Sequence, residues 1–145
     1  MSAKAFNLCM MGSMVALLLC DWFWFRPSPW VFKPVSILWA LSLLIASERR
    51  YRPASGLLLL GAVMNAVAVL LNGGRMPVAL EYWETSHKPP THQLIGPDTQ
   101  LRWLADVLPG GSSAGDWLVL VSLGWIFGML TFSMIQTLSA TRARS

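Results

Sequence analysis

The chain has 145 residues, 54 % of them apolar and only 12 % charged, with a net charge of +4. Soluble domains usually carry about twice that charged fraction. The bases sit at the ends of apolar runs and form no basic face with stacking aromatics, which excludes a nucleic-acid partner.

Four apolar runs, at approximately 5–25, 30–47, 54–72 and 117–139, alternate with polar connections. Each approaches the ~20 residues that carry a helix across ~30 Å of hydrocarbon, the second being the shortest. The pattern predicts an all-α, polytopic membrane protein: one domain over 1–145, built as a four-transmembrane-helix bundle with an extracytoplasmic loop cap at 73–116.

The first run follows Lys4, as a secretory signal would. It continues through Asp21 into Trp22, Phe23, Trp24 and Phe25 without a small-x-small cleavage site, and Leu19 precedes Cys20, so a retained span is expected. Cys9 and Cys20 lie on that one helix, too far apart to bridge, and read as packed thiols. Arg26-Pro27-Ser28-Pro29-Trp30 then forms a tight turn, because each proline fixes its own φ and moves the preceding residue out of helical geometry. Trp22, Trp24 and Trp30 bracket the turn as an aromatic belt at headgroup level, a simpler reading than a pigment or quinone platform. Lys33, just inside the second run, either snorkels outward or pairs with Asp21.

Between the second and third runs stand Glu48, Arg49, Arg50 and Arg52, and the chain ends with Arg142 and Arg144. With Lys4 these place six bases and one acid on one side if both termini are cytoplasmic. Lys and Arg across the membrane are otherwise nearly balanced, so the dense 49–52 cluster and the terminal pair set the orientation.

The third run is apolar except for Asn65 and stops at Asn72-Gly73-Gly74, where glycine admits the left-handed backbone that closes a helix. Asn65 and Asn72 lie two turns apart on nearly one face and are expected to hydrogen-bond into the bundle. Beyond them, Pro77 reads as the first position of a short helix over 78–85, which breaks at His87-Lys88-Pro89-Pro90. Asp98 reads as the N-cap of a second helix with Leu101, Leu104, Ala105 and Leu108 on one stripe and Arg102 placed to meet Asp106. Pro109-Gly110-Gly111 ends it, and Ser113-Ala114-Gly115-Asp116 reads as a capping box opening the fourth span.

Asn72-Gly73-Gly74-Arg75-Met76-Pro77-Val78, then Pro97-Asp98-Thr99, Leu104-Ala105-Asp106 and Ser113-Ala114-Gly115-Asp116 resemble, in the same order, the carboxy-terminal half of the domain-of-unknown-function family 5317, small bacterial integral membrane proteins. The resemblance covers approximately 54–130, with residues 1–50 reading as a shortened or divergent amino end. It implies a bacterial cell membrane and no reaction. The positions it carries over are Asn72, Gly73, Gly74, Arg75, Asp98, Asp106, Gly115 and Asp116, read as a structural cap in which Arg75 reaches Asp106 or Asp116.

The fourth run carries Gly124 and Gly128, the small-x-x-x-small spacing that lets helices approach closely within the bundle or against another subunit. No acidic residue stands at mid-span, as an ion-driven transporter would favour. His87 and His92 match no metal-binding spacing and read as surface imidazoles, and Gly110-Gly111 lacks the lysine and hydroxyl of a phosphate loop. The sequence therefore predicts no catalytic or metal residues and no cofactor contributed by this chain alone, although lipid or a partner's pigment has surface to contact. Its expected partners are membrane lipids and other integral membrane subunits, and its expected role is a non-catalytic accessory or assembly subunit. The alternatives are a small transporter or lipid-handling protein and, further off, a membrane enzyme using Asp98, Asp106 or Asp116.

Overall fold

A computed structural model describes residues 29–83 and 91–142. The first expected span, 5–25, lies outside them, as do His87 and Lys88. The second becomes α1, an 18-residue helix over Pro29–Ala46 with Pro34 inside it. The third becomes α2, Arg52–Leu71. Two described helices are long and apolar enough to cross a membrane: α2 and the Ala114–Gln136 portion of the helix that closes the chain.

A tight connection returns α1 on α2. The Ser47 amide donates to Leu43 O (2.9 Å), the Tyr51 amide to Glu48 O (2.9 Å), and the Ser47 and Ser55 hydroxyls meet at 3.0 Å. Pro53 falls in the first turn of α2, where a missing N–H costs nothing. The arginines of this turn are exposed, and Arg50 pairs with Glu48 at 3.0 Å. Ala40, Leu43 and Leu58 form the buried seam, with Trp39, Val119 and Leu123 packed against it.

Between the long helices the chain departs from the expected pair of helices. Met76–Val78 is a strand, β1, paired in parallel with β2, His92–Leu94, in the register Met76↔His92. Among the described residues of the expected 78–85 helix, Leu80–Trp83 is helical (α3), and Pro77 lies in a strand and not at a helix start. The reason is long-range bonding: Pro77 O accepts from the Asp106 amide at 2.9 Å, and Asp106 O accepts from the Ala79 amide at 3.1 Å. β1 thus has β2 and Asp106 as neighbours, and all three of its residues are buried.

The same bonds dissolve the second expected helix. Leu101 is left-handed (φ 46°), a 3-10 turn spans Arg102–Leu104, and Ala105 is extended, feeding Asp106 into its bridge with Val78. The leucine stripe is therefore not a helical face. Arg102 does not meet Asp106; it donates to the carbonyls of Gly96 (2.7 Å) and Pro97 (3.1 Å). Asp98 caps no helix and stands exposed in a turn. Met76 and Leu104 pack on Ala68 and Val69, seating this small non-membranous cap on the end of α2.

The last helix, α4, runs Ala114–Arg142. Its expected capping box forms: the Ser113 amide donates to Asp116 Oδ2 at 2.9 Å and the Asp116 amide to Ser113 Oγ at 3.0 Å. Only 6 % of its apolar span is buried by the rest of the chain, against 44 % for α2. Leu120, Val121, Phe127, Phe132 and Met134 all stand exposed. Water does not tolerate so continuous an apolar face, whereas lipid does. The chain is a helical membrane protein with apolar spanning helices and a short β element outside them.

Candidate functional site

Asn65, Ser113 and Asp116 converge where α2 meets the start of α4. Gly61 and Gly115 let the two long helices touch there: a Cβ on Gly61 would stand 2.6 Å from Gly115 O, and one on Gly115 would stand 2.8 Å from Gly61 O. One turn beyond Gly61, Asn65 is buried. Its Nδ2 donates to Asp116 Oδ1 at 2.6 Å and its Oδ1 accepts from the Ser113 hydroxyl at 2.8 Å. That hydroxyl also lies 2.8 Å from Asp116 Oδ2, so its single proton serves two acceptors. An amide, a hydroxyl and a carboxylate thus fasten α2 to the first turn of α4.

Asn72 does a second fastening. Its side chain donates to Ala68 O (2.7 Å) and Gln100 O (3.1 Å) and accepts from the Gln100 amide (2.9 Å), holding the loop to the end of α2 as a strand neighbour would. Asn65 therefore reaches another helix as expected, while Asn72 reaches the cap. Gly73 (φ 67°) and Gly74 (φ 84°) turn the chain out of α2, with the Gly74 amide closing on Val69 O at 2.9 Å.

Arg75 is not brought into this network. It is exposed, while Asp116 is held by Asn65 and Ser113, and Asp106 faces His92. Gly124 and Gly128, read as a packing pair, are exposed, and a Cβ on either would meet nothing within 4 Å.

His92 is not the surface imidazole expected. Its side chain is 30 % exposed, its Nδ1 lies 3.1 Å from Thr91 Oγ1, and its Nε2 lies 3.6 Å from Asp106 Oδ2. Asp106 is 5 % exposed, and its Oδ1 is buried with no hydrogen-bond partner. Burial, first, and the nearby charge of Asp116, second, push its carboxyl up to about 7, against the opposing influence of Lys33 from α1. The arrangement can take up and release a proton near neutrality. Among the described residues no three His, Cys, Asp or Glu side chains converge as a metal site.

Sequence reasoning missed Gly61, Ser113 as a bundle contact, Gln100 and the His92–Asp106 pair. Gly61 carried a usable signal, since it stands four residues before Asn65 on the same helical face.

The family of unknown function DUF5317 matches residues 6–130, and the chain belongs to it. The match begins at residue 6, so it takes in the amino-terminal region as well as the stretch 54–130 that carried the resemblance. No curated protein and no solved structure matches the chain.

Proposed function

We propose that this chain is a non-catalytic accessory or assembly subunit of a larger bacterial membrane protein complex, inserted as a four-span bundle with both termini cytoplasmic and the β-containing cap outside. The observation that carries the reading is the outer surface of α4. Its second half presents Trp125, Phe127, Phe132, Met134 and Ile135 together with the uncovered Gly124 and Gly128. Small residues among bulky ones are the relief against which another transmembrane helix packs closely. The polar residues, in contrast, are spent on holding the chain's own helices together, which supports a scaffold more than a reaction centre.

The test is recovery of the complex. Replacing Gly124 and Gly128 with leucine keeps α4 compatible with lipid but blocks close approach, so co-purification with partner subunits is expected to fall severalfold while membrane insertion is unchanged. Purification in gentle detergent and in detergent-free lipid particles provides the comparison. A monomer in both, lipid-coated on every apolar face, would sink the proposal and move the assignment to a small transporter or lipid-handling protein.

The orientation rests on the arginines at 49–52 and the basic tail. With Cys9 and Cys20 replaced, a cysteine substituted for Arg50 is expected to resist impermeant reagents in intact cells. Labelling from outside would invert the topology.

A further inference from the structure

We propose that Asp106 and His92 form a proton-binding site that holds the segments of the cap to one another: one proton shared by carboxyl and imidazole keeps the cap closed, and its loss loosens it. This reading is independent of the accessory role.

The geometry places Asp106 where β1, β2 and the segment after the 3-10 turn meet. Its backbone bonds to Pro77 and Ala79 on both sides of Val78, and its side chain faces His92 on β2. That carboxyl is enclosed with one oxygen 3.6 Å from an imidazole nitrogen and the other facing no donor. A carboxylate left so poorly solvated costs far more than a neutral carboxyl in the same place. Protonation removes that cost, and a few tenths of an ångström of closure from the observed 3.6 Å lets the Asp106 O–H donate to His92 Nε2 while Thr91 steadies Nδ1. On deprotonation the proton leaves to water and the enclosed charge favours any opening that hydrates it.

The two charges that reach this carboxyl act in opposite senses. From α4, Asp116 repels an ionised Asp106, whereas from α1 Lys33 attracts it. β1 contributes only Met76, Pro77 and Val78, Arg102 is committed to the carbonyls of Gly96 and Pro97, and Glu81 of α3 is exposed. The carboxyl titrates at about 7 in the closed cap against 3.8 when unperturbed. A raised pKa means that closure is favoured most below the unperturbed value and that the advantage is lost as pH rises to the closed-state value.

The experiment is hydrogen exchange on the full chain in neutral-lipid nanodiscs, following the Ala79 and Asp106 amides that join the two segments. Rates are divided by the unstructured rate at each pH. Protection is expected to fall by up to about tenfold per pH unit between about pH 5 and 7 and to level off above. Asp106→Asn is expected to abolish this dependence, and His92→Ala to lower protection at pH 5 severalfold while leaving the slope. Wild-type protection that is flat across this range, a slope that survives Asp106→Asn, or protection unaltered by His92→Ala would each overturn the latch. Should Asp106→Asn fail to fold, wild-type protein with 13C-labelled aspartate decides: one carboxyl titrating near neutrality is expected, and none above the ordinary range refutes the site.

Discussion

The two halves of α4 carry the same kind of residues and do opposite things. In the first half, Gly115 sits against the Gly61 carbonyl, and Ser113 and Asp116 bond to Asn65. In the second, Gly124 and Gly128 repeat a spacing that permits close packing, yet both face open space. Glycine lowers the steric barrier to contact but provides little attraction. In lipid, where apolar surface has no preference for another helix over an acyl chain, the attraction comes from packing against a complementary small residue and from polar groups that have nowhere else to bond. Gly61 and Asn65, one turn apart on α2, offer both to the first half of α4, and nothing described offers either to the second.

The comparison breaks most sharply at the crossing. Gly61→Ala drives a methyl to 2.6 Å from a backbone oxygen, and Gly115→Ala brings one to 2.8 Å from the reciprocal oxygen while displacing Asn65. Neither clash is relieved by turning a flexible side chain, so the helices must separate. Each substitution is expected to cost on the order of 3 kcal/mol, the upper range for overpacking, read from reversible unfolding in mixed micelles. A loss below about 1 kcal/mol for both would mean that the crossing yields easily.

The helical part of this architecture was legible because it is written locally. Apolar runs bounded by Pro53 and by the Ser113/Asp116 box predict α2 and α4; α2 starts two residues before its run and ends one before the run does, and α4 extends three residues beyond its run at each end. The cap was not legible because its determinants are distant in sequence. Leu101, Leu104, Ala105 and Leu108 do recur at helical spacing, but bonds from Asp106 to Pro77 and Ala79 outweigh that preference, and no local pattern announces them. The candidate site divides the same way. Asn65 stood out as the one amide in an apolar run, whereas Gly61 hid among leucines and His92 found Asp106 only through the parallel pairing of β1 with β2. Arg75 drew attention by charge, although Asn65 and Ser113, already enclosed, held the carboxylate it was matched with.

A smaller effect sharpens the polar half of the comparison. Asn65→Leu removes the 2.6 Å bond to Asp116 and the acceptor for Ser113 but leaves both hydroxyl and carboxylate at the membrane boundary, where water can replace the amide. The expected loss is about 1–2 kcal/mol, near the top of what interhelical hydrogen bonds contribute in membranes. A double-mutant cycle with Asp116→Ala isolates the contact, and strictly additive losses would show that amide and carboxylate are neighbours without being partners.

The smallest effect is expected in the second half of α4, with the sign reversed. Replacing both Gly124 and Gly128 with alanine adds methyls that meet nothing within 4 Å and removes two flexible positions from a helix interior. The isolated chain is expected to gain a few tenths of a kcal/mol per site, up to about 1, because alanine loses less backbone freedom than glycine on becoming helical. The unfolding measurement used for Gly61→Ala serves here, with purified chain free of partner subunits. A destabilisation comparable to that of Gly61→Ala would mean that another part of the same chain closes on this surface, and the partner proposed for it would then be intramolecular. A gain in the isolated chain accompanied by weaker recovery of the complex would place the cost of those two methyls at a contact between chains, because a methyl that fits the monomer can be unwelcome only where a second helix comes closer than lipid does.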